Sequence, residues 1–367
     1  MKIGMRQIHF FILLFAASSL LFHSPSDFEA NAAVAWYNDS WENRKKITTS
    51  LNTEISSDLT NFPTLISFTD SDLTKTTESD GTDIVFTASD GTTELAYEIE
   101  RFDSSTGEII AWVNIPTVSA SENTDIYIYY KGTASTPSTV WDSSYLLVYH
   151  LNQSADGTVD EITDASGTGN HGTAGGTGNK THDAERITSQ TEAKIGYGQT
   201  FGGPTETGSG DGDGSFIWAD GDSFFATAPD AVTVEFWIKI ADGLGTDMAI
   251  FGYKQSSKAN ANELLLTQAN SLNFHVRTNL GKGINSDVDA ATGEWTHIVA
   301  THSSDENKIY QDGTLQESND GHDDGPRASV AASGFALGGD IDGNAANNVN
   351  NELIGDMDEF RISNTIR

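Results

Sequence analysis

Beyond residue 32 the chain is built of short runs in which apolar and polar positions alternate with a period of two, separated by Gly, Asp, Asn and Ser. In Ile109–Ile115 one set of alternate positions reads Ile109, Ala111, Val113 and Ile115, and the other reads Ile110, Trp112 and Asn114. Successive side chains of a strand point to opposite faces, so a run of this kind predicts a strand with one buried face. Earlier and neighbouring runs are Lys46–Leu51, Phe62–Phe68, Asp83–Thr87, Leu95–Phe102 and Asp125–Tyr130. A second set starts at Tyr145 and continues through Thr233–Ile240, Met248–Tyr253, Glu263–Thr267, Leu272–Arg277, Trp295–His302, Lys308–Gln311, Phe335–Gly338 and Leu353–Ile362. Ser89-Asp90-Gly91 is a turn signal between two runs. No long stretch of helical period accompanies them. The predicted fold class is all-β: a small N-terminal β-sandwich followed by a larger antiparallel jelly-roll sandwich.

Residues 1–32 follow another pattern. Lys2 and Arg6 precede the apolar run Phe10–Phe22, and a polar stretch leads to Ala30-Asn31-Ala32. That is the order of a Sec signal peptide, with cleavage expected after Ala32. The apolar run is shorter than the roughly 20 residues needed to span a bilayer. The protein is therefore expected to be secreted or cell-surface, with no membrane span in the mature chain. The segment 132–140 is rich in Gly, Ser, Thr and Pro without apolar period, and reads as a linker. The expected layout is a signal peptide at 1–32, a small sandwich at 36–131, the linker, and a jelly roll at 141–367.

Charge narrows the partners. The chain has 20 Lys+Arg against 53 Asp+Glu, a net charge of −33. Residues 1–32 hold two charges of each sign, so removing them leaves the balance unchanged. Such an acidic surface repels phosphates and excludes nucleic acid and anionic membranes as natural partners. It favours hard cations such as calcium. With no Cys in the chain, disulfides, thiolate nucleophiles and Cys-based zinc sites are excluded.

Two blocks carry family resemblance. The first runs over about 36–132. It comprises Trp41-x-x-Arg44, Lys46-Ile47-Thr48, Asn61-Phe62-Pro63-Thr64-Leu65-Ile66, Asp80-Gly81-x-Asp83-Ile84-Val85-Phe86, Leu95-Ala96-Tyr97-Glu98-Ile99-Glu100, Ala111-Trp112-Val113-x-Ile115-Pro116 and Ile126-Tyr127-Ile128-Tyr129-Tyr130. It resembles a domain of unknown function from prokaryotic surface proteins, and implies no activity. The second block covers most of 141–367. Its landmarks are Val148-Tyr149-His150-Leu151, Asp164-Ala165-Ser166-Gly167 to Asn170-His171-Gly172-Thr173, Gly196-x-Gly198-x-x-Phe201-x-Gly203, Thr233–Lys239, Trp295-x-His297-Ile298-Val299, Asp312-Gly313 and Asp358-Glu359-Phe360-Arg361-Ile362. It resembles the laminin-G-like, concanavalin A-like jelly rolls. Insertions at 176–214 and 341–352 depart from that pattern.

The resemblance implies a calcium site shared by the Asp164 loop, Asn170 and Asp358 of the last strand. Read from the residues alone, Asp164 and Asn170 equally suit Asx turns, with Asp358 solvated. The acidic loops Gly210–Gly214 and Asp340-Ile-Asp342-Gly-Asn344 do not complete an EF-hand. The Glu-x-Asp-x-x-Glu strand of related glycosidases is missing, as are Gly-x-Ser-x-Gly and His-Glu-x-x-His. Asp356 and Asp358 share a strand face but lack a third acid. His297 reads as a hydrogen-bonded core or rim residue, and His171 and His182 as loop residues. Trp237 and, as the weaker candidate, Trp218 are the candidate ligand-binding rings, because a flat aromatic covers the apolar face of a sugar; the structural alternative, in which a loop or the first domain covers the Trp237 face, suits a residue type that is mostly buried. Trp237 falls on the polar side of its strand, with Glu235 and Lys239.

The sequence therefore predicts a non-catalytic recognition module that binds a glycan or a cell-surface protein through a calcium-stabilised jelly roll. The competing readings are a structural or adhesion segment with no ligand of its own, and a divergent glycoside hydrolase using Asp356 or Asp358.

Overall fold

The computed structural model describes residues 34–50, 55–76, 78–133, 138–175, 187–189, 192–202, 215–220, 229–240, 247–254, 261–266, 271–276, 283–289, 291–320, 334–341 and 349–367. The expected signal peptide, His182, the 210–214 loop and residues 342–344 lie outside them. The described chain forms two units, one ending at Asp142 and one starting at Ser143.

The first unit has strands β1 (Asn43–Thr49), β2 (Leu59–Thr69), β3 (Ile84–Thr87), β4 (Tyr97–Asp103), β5 (Glu108–Val118) and β6 (Thr124–Tyr130). They make two antiparallel three-stranded sheets, ordered β1-β6-β3 and β2-β5-β4. The apolar face read in β5 lies in the core: Ile109, Ala111, Val113 and Ile115 pack with Ile47, Ile66, Phe86 and Ile128. The opposite face of β5 carries Trp112, whose indole Nε1 donates to Glu100 Oε2 at 3.1 Å. Trp141 packs beside it with ring centroids 5.5 Å apart, and donates to Glu98 Oε2 at 3.0 Å. Asn114 Nδ2 donates to the carbonyl of Val140. Val140 and Trp141 are thus buried with the first unit, one at the end of the expected linker and the other at the expected start of the jelly roll. The reason is physical: burying an apolar side chain contributes about 1.5–3 kcal/mol, enough to fasten a short segment that has no alternation of its own.

The second unit contains β7 (Tyr145–Tyr149), β8 (Thr173–Ala174), β9 (Ile187–Ser189), β10 (Gln199–Gly202), β11 (Ile217–Asp220), β12 (Ala231–Lys239), β13 (Met248–Lys254), β14 (Ala261–Leu266), β15 (Ser271–Val276) and β16 (Gly283–Asp289). It continues with β17 (Thr296–Ser303), β18 (Glu306–Gln311), β19 (Thr314–Asp320), β20 (Gly334–Leu337), β21 (Asp340–Ile341), β22 (Val349–Asn350) and β23 (Ile354–Ser363). The larger sheet runs β19-β18-β17-β12-β23-β10-β9, with β7 also on β23, and the other runs β16-β15-β14-β13-β20-β11-β8. Their inner faces share one core, in which Val232, Val234, Phe236 and Ile238 of β12 meet Phe251, Phe335 and Leu337. Phe360 is its hub, with ring centroids 5.8 Å from Phe236, Phe251 and Phe335. This is an all-β chain of antiparallel sheets, as the alternation predicts.

One irregularity places the polar residues of β23. The register against β12 slips between Glu235 and Trp237, pairing Glu235 with Arg361 and Trp237 with Asp358. Glu359 is the extra residue, at φ 52°. A bulge breaks the alternation and re-aims its side chain, so Asp358, Glu359 and Arg361 all fall outside the core.

Candidate functional site

Asp164 follows the bridge between Ile162 and Gly172 and is buried. Its Oδ1 accepts from the backbone N–H of Val148 and of Ser166, each at 3.0 Å. Its Oδ2 accepts from Ser166 Oγ, Thr168 Oγ1 and the Asn170 N–H. Asn170 donates its side-chain amide to the Leu146 carbonyl and to Thr168 Oγ1, while its own carbonyl accepts from Tyr149 O–H at 2.6 Å. The loop after Asp164 is tied to β7 by these bonds. Gly167 and Gly169 supply the positive φ angles that turn it.

A carboxylate has about four lone-pair sites, and the donors around Asp164 fill them. Calcium needs six to eight oxygens with free lone pairs. Asp358 has a partner of its own: its Oδ2 accepts from the Ile195 N–H at 2.6 Å, and among the described residues it shares no hydrogen-bond donor with Asp164. Its Oδ1 is buried without a hydrogen-bond partner among the described residues. One orphaned oxygen does not make a calcium cage, and the three residues do not fit the ion as a set.

The outer face of the larger sheet carries a second polar constellation. Register places His297, Trp237 and Asp358 in one row across β17, β12 and β23, and Glu235 beside Arg361 in the next. Glu359 accepts from His150 Nδ1 at 2.7 Å and pairs with Arg361, which also lies 3.5 Å from Glu235. Burial opposes the charge on Glu359, but His150 and Arg361 outweigh it and hold its carboxyl at about 2. Burial, and then the neighbouring Glu359, push Asp358 well above the usual carboxylate range. The two adjacent acids are thereby pushed in opposite directions, Asp358 upward and Glu359 downward.

Trp237 is only 9% exposed and Trp218 only 6%. Lys194 Nζ stands 4.5 Å from the Trp237 ring centre, and the His297 ring packs against it, tilted by 37°, at 4.8 Å. Burial lowers the pKa of both Lys194 and His297. Trp218 lies against Gly334, where an added Cβ would sit 2.1 Å from the ring. Both rings are used in packing. Asp358 is 0% exposed, so it and Asp356 do not form an open acid pair; Asp356 accepts from Thr200 Oγ1 at 2.9 Å. His171 accepts the Asp164 N–H on Nδ1, so it is part of the knot. The sequence reading missed His150 and Glu359 as partners. The bulge that joins them leaves no trace in the alternation.

No curated relative matches the sequence. Among solved structures, a botulinum neurotoxin type C studied for its interaction with two ganglioside molecules is 12% identical over 61% of this chain and 49% of that chain, with a TM-score of 0.42. The binding domain of Paraclostridial Mosquitocidal Protein 1 is 15% identical over 61% and 49%, with a TM-score of 0.40. Domain 4 of an extracellular arabinanase from Geobacillus stearothermophilus, in complex with arabinotriose, is 20% identical over 60% and 92%, with a TM-score of 0.40. The chain spans about half the length of the first two. No helix of the described residues is long and apolar enough to cross a membrane. Residues 80–163 match a domain of unknown function (DUF2341), and residues 210–367 match the concanavalin A-like lectin/glucanases superfamily. The two matches thus fall in the order of that uncharacterised domain followed by a concanavalin A-like, laminin-G-like domain.

Proposed function

We propose that this is a secreted, non-catalytic recognition protein whose jelly roll binds carbohydrate or a cell-surface partner. The observation that carries the reading is the superfamily match over 210–367 on a two-sheet antiparallel sandwich. The burial of Asp358 weighs against hydrolysis, because a catalytic acid must touch the scissile bond. The Asp164 knot gives the loop next to β7 a fixed shape through its own hydrogen bonds. A preshaped loop loses less entropy when a ligand docks. Export rests on the residue order of 1–32.

The test is a glycan array probed with the purified full chain, run beside an assay for released reducing sugar. Binding without release is the expected result. Release that disappears in Asp356→Asn would replace this reading with the hydrolase. Self-association with no glycan bound would replace it with the structural segment. Melting in calcium and in EDTA tests the knot: the expected melting points coincide, and a rise with calcium that Asp164→Asn abolishes would return the ion to the loop. N-terminal sequencing of the exported protein should begin at Ala33.

A further inference from the structure

All seven Trp of the chain lie within the described residues. Six are buried or half-buried, and Trp36 in the first unit is 42% exposed. Its ring is nonetheless held in place. The indole Nε1 donates to the Trp41 carbonyl at 3.0 Å, which closes the segment 36–41 on itself. The Arg44 guanidinium stands 4.8 Å from the ring centre, and Tyr129 meets the ring edge-on at 5.4 Å. Arg44 also donates to the carbonyls of Ala35 (2.7 Å) and Val34 (3.2 Å) and to Tyr129 Oη (3.0 Å). The Tyr37 N–H donates to Tyr129 Oη, whose own proton goes to Gly91. Gly91 has φ +77°, and a Cβ there would come within 2.3 Å of the Ala35 carbonyl oxygen, so the turn makes room for this segment.

One side of the indole is therefore committed to Arg44 and the exposure belongs to the remainder. The tip of the same segment, Asn38-Asp39-Ser40, is polar and exposed, with Asn38 Oδ1 accepting from both the N–H and the hydroxyl of Ser40. Among the described residues Trp36 is the only large apolar side chain of the first unit that is exposed; Val159, Leu315 and Ile366 belong to the second. An isolated flat ring with a polar rim is not a contiguous apolar patch of the kind that docks a protein. The charge of −33 disfavours acidic polymers and anionic lipids.

We propose that Trp36 is a sugar-stacking platform: the first unit binds a neutral saccharide whose apolar pyranose face lies on the indole and whose hydroxyls meet the Asn38–Ser40 tip. Every residue of this site belongs to the first unit.

The experiment is affinity electrophoresis of the full chain through gels containing xylan, β-glucan, arabinan, galactomannan or starch. Wild type should be retarded by at least one. Trp36→Ala should lose about tenfold or more in affinity for it, and Trp36→Phe should keep part of it. Both variants should stay folded, each melting somewhat lower through loss of the Nε1 bond to the Trp41 carbonyl. Indole oxidation by N-bromosuccinimide, located by mass spectrometry, gives a readout on wild type alone: Trp36 should react first, and the retarding polysaccharide should protect it. Undiminished retardation of Trp36→Ala, or oxidation of Trp36 at the same rate with and without polysaccharide, overturns the proposal. Retardation by none of the five overturns it as well.

Discussion

Asp164 accepts hydrogen bonds from three backbone amides and two hydroxyls of its surroundings. Asp164→Asn turns half of that acceptor into a donor facing donors. The expected cost is about 2–4 kcal/mol, read from urea unfolding of the variant against wild type. Glu359 makes a sharper statement about pH. The unfolded chain ionises it near 4.5, and the fold holds it ionised down to about 2. Its stabilising contribution is thus fully present above pH 4.5 and is lost as pH falls toward 2, an amount of about 3 kcal/mol. Glu359→Gln should be clearly less stable at pH 7, and its stability should fall less steeply between pH 4.5 and 2. Asp358 runs the other way, since its carboxyl is raised: the unfolded chain releases that proton first, so this residue costs stability as pH rises above 3.8. Asp164, Asn170 and Asp358 were all visible in the sequence as residues that matter. Their partners were not, because hydrogen bonds from Val148 and Ile195 come from chain segments whose proximity only folding creates.

At the scale of elements, Glu161 behaves as a clasp. Its carboxylate accepts from the N–H groups of Asp156, Gly157, Thr158 and Ala174. The run 157–178 is rich in Gly, yet its described part holds β8 and this clasp. Glu161→Gln should speed amide exchange at 156–158 and leave β12 and β23 unchanged, which hydrogen exchange with mass spectrometry can resolve. Strand β20 offers a steric test. Gly334→Ala would drive a Cβ into the Trp218 ring, and overpacking of this sort costs about 1–3 kcal/mol, visible as a lower melting point. The alternation predicted β5 and β12 well because each has a run of four apolar residues on one face, Ile109, Ala111, Val113 and Ile115 in the first and Val232, Val234, Phe236 and Ile238 in the second. It gave no sign of the Glu359 bulge, since a bulge is chosen by the pairing of two strands and not by the composition of one.

For the whole molecule, the charge of −33 sets the solution behaviour. Like charges crowded on a folded surface repel one another, and added salt screens them over about 3 Å at 1 M against about 10 Å at 0.1 M. The melting point should rise by several degrees between ~0.05 and ~1 M NaCl, in a calorimetric scan at pH 7. A flat response would show that exposed ion pairs such as Lys75–Asp72, which salt weakens, offset the repulsion.

The amino-acid order alone determined that this chain is all-β, that its jelly roll resembles the concanavalin A-like family, and which face of each long strand is apolar. Those properties are local: alternation with period two is written residue by residue, and composition fixes the charge. Only the tertiary structure decided what the polar residues do. It closed Asp164 on its own loop, sealed Asp358 beneath Ile195, used Trp237 and Trp218 as packing, and left Trp36 facing water. Burial and hydrogen-bond satisfaction depend on which distant segments arrive at a residue, and no window of sequence contains both partners.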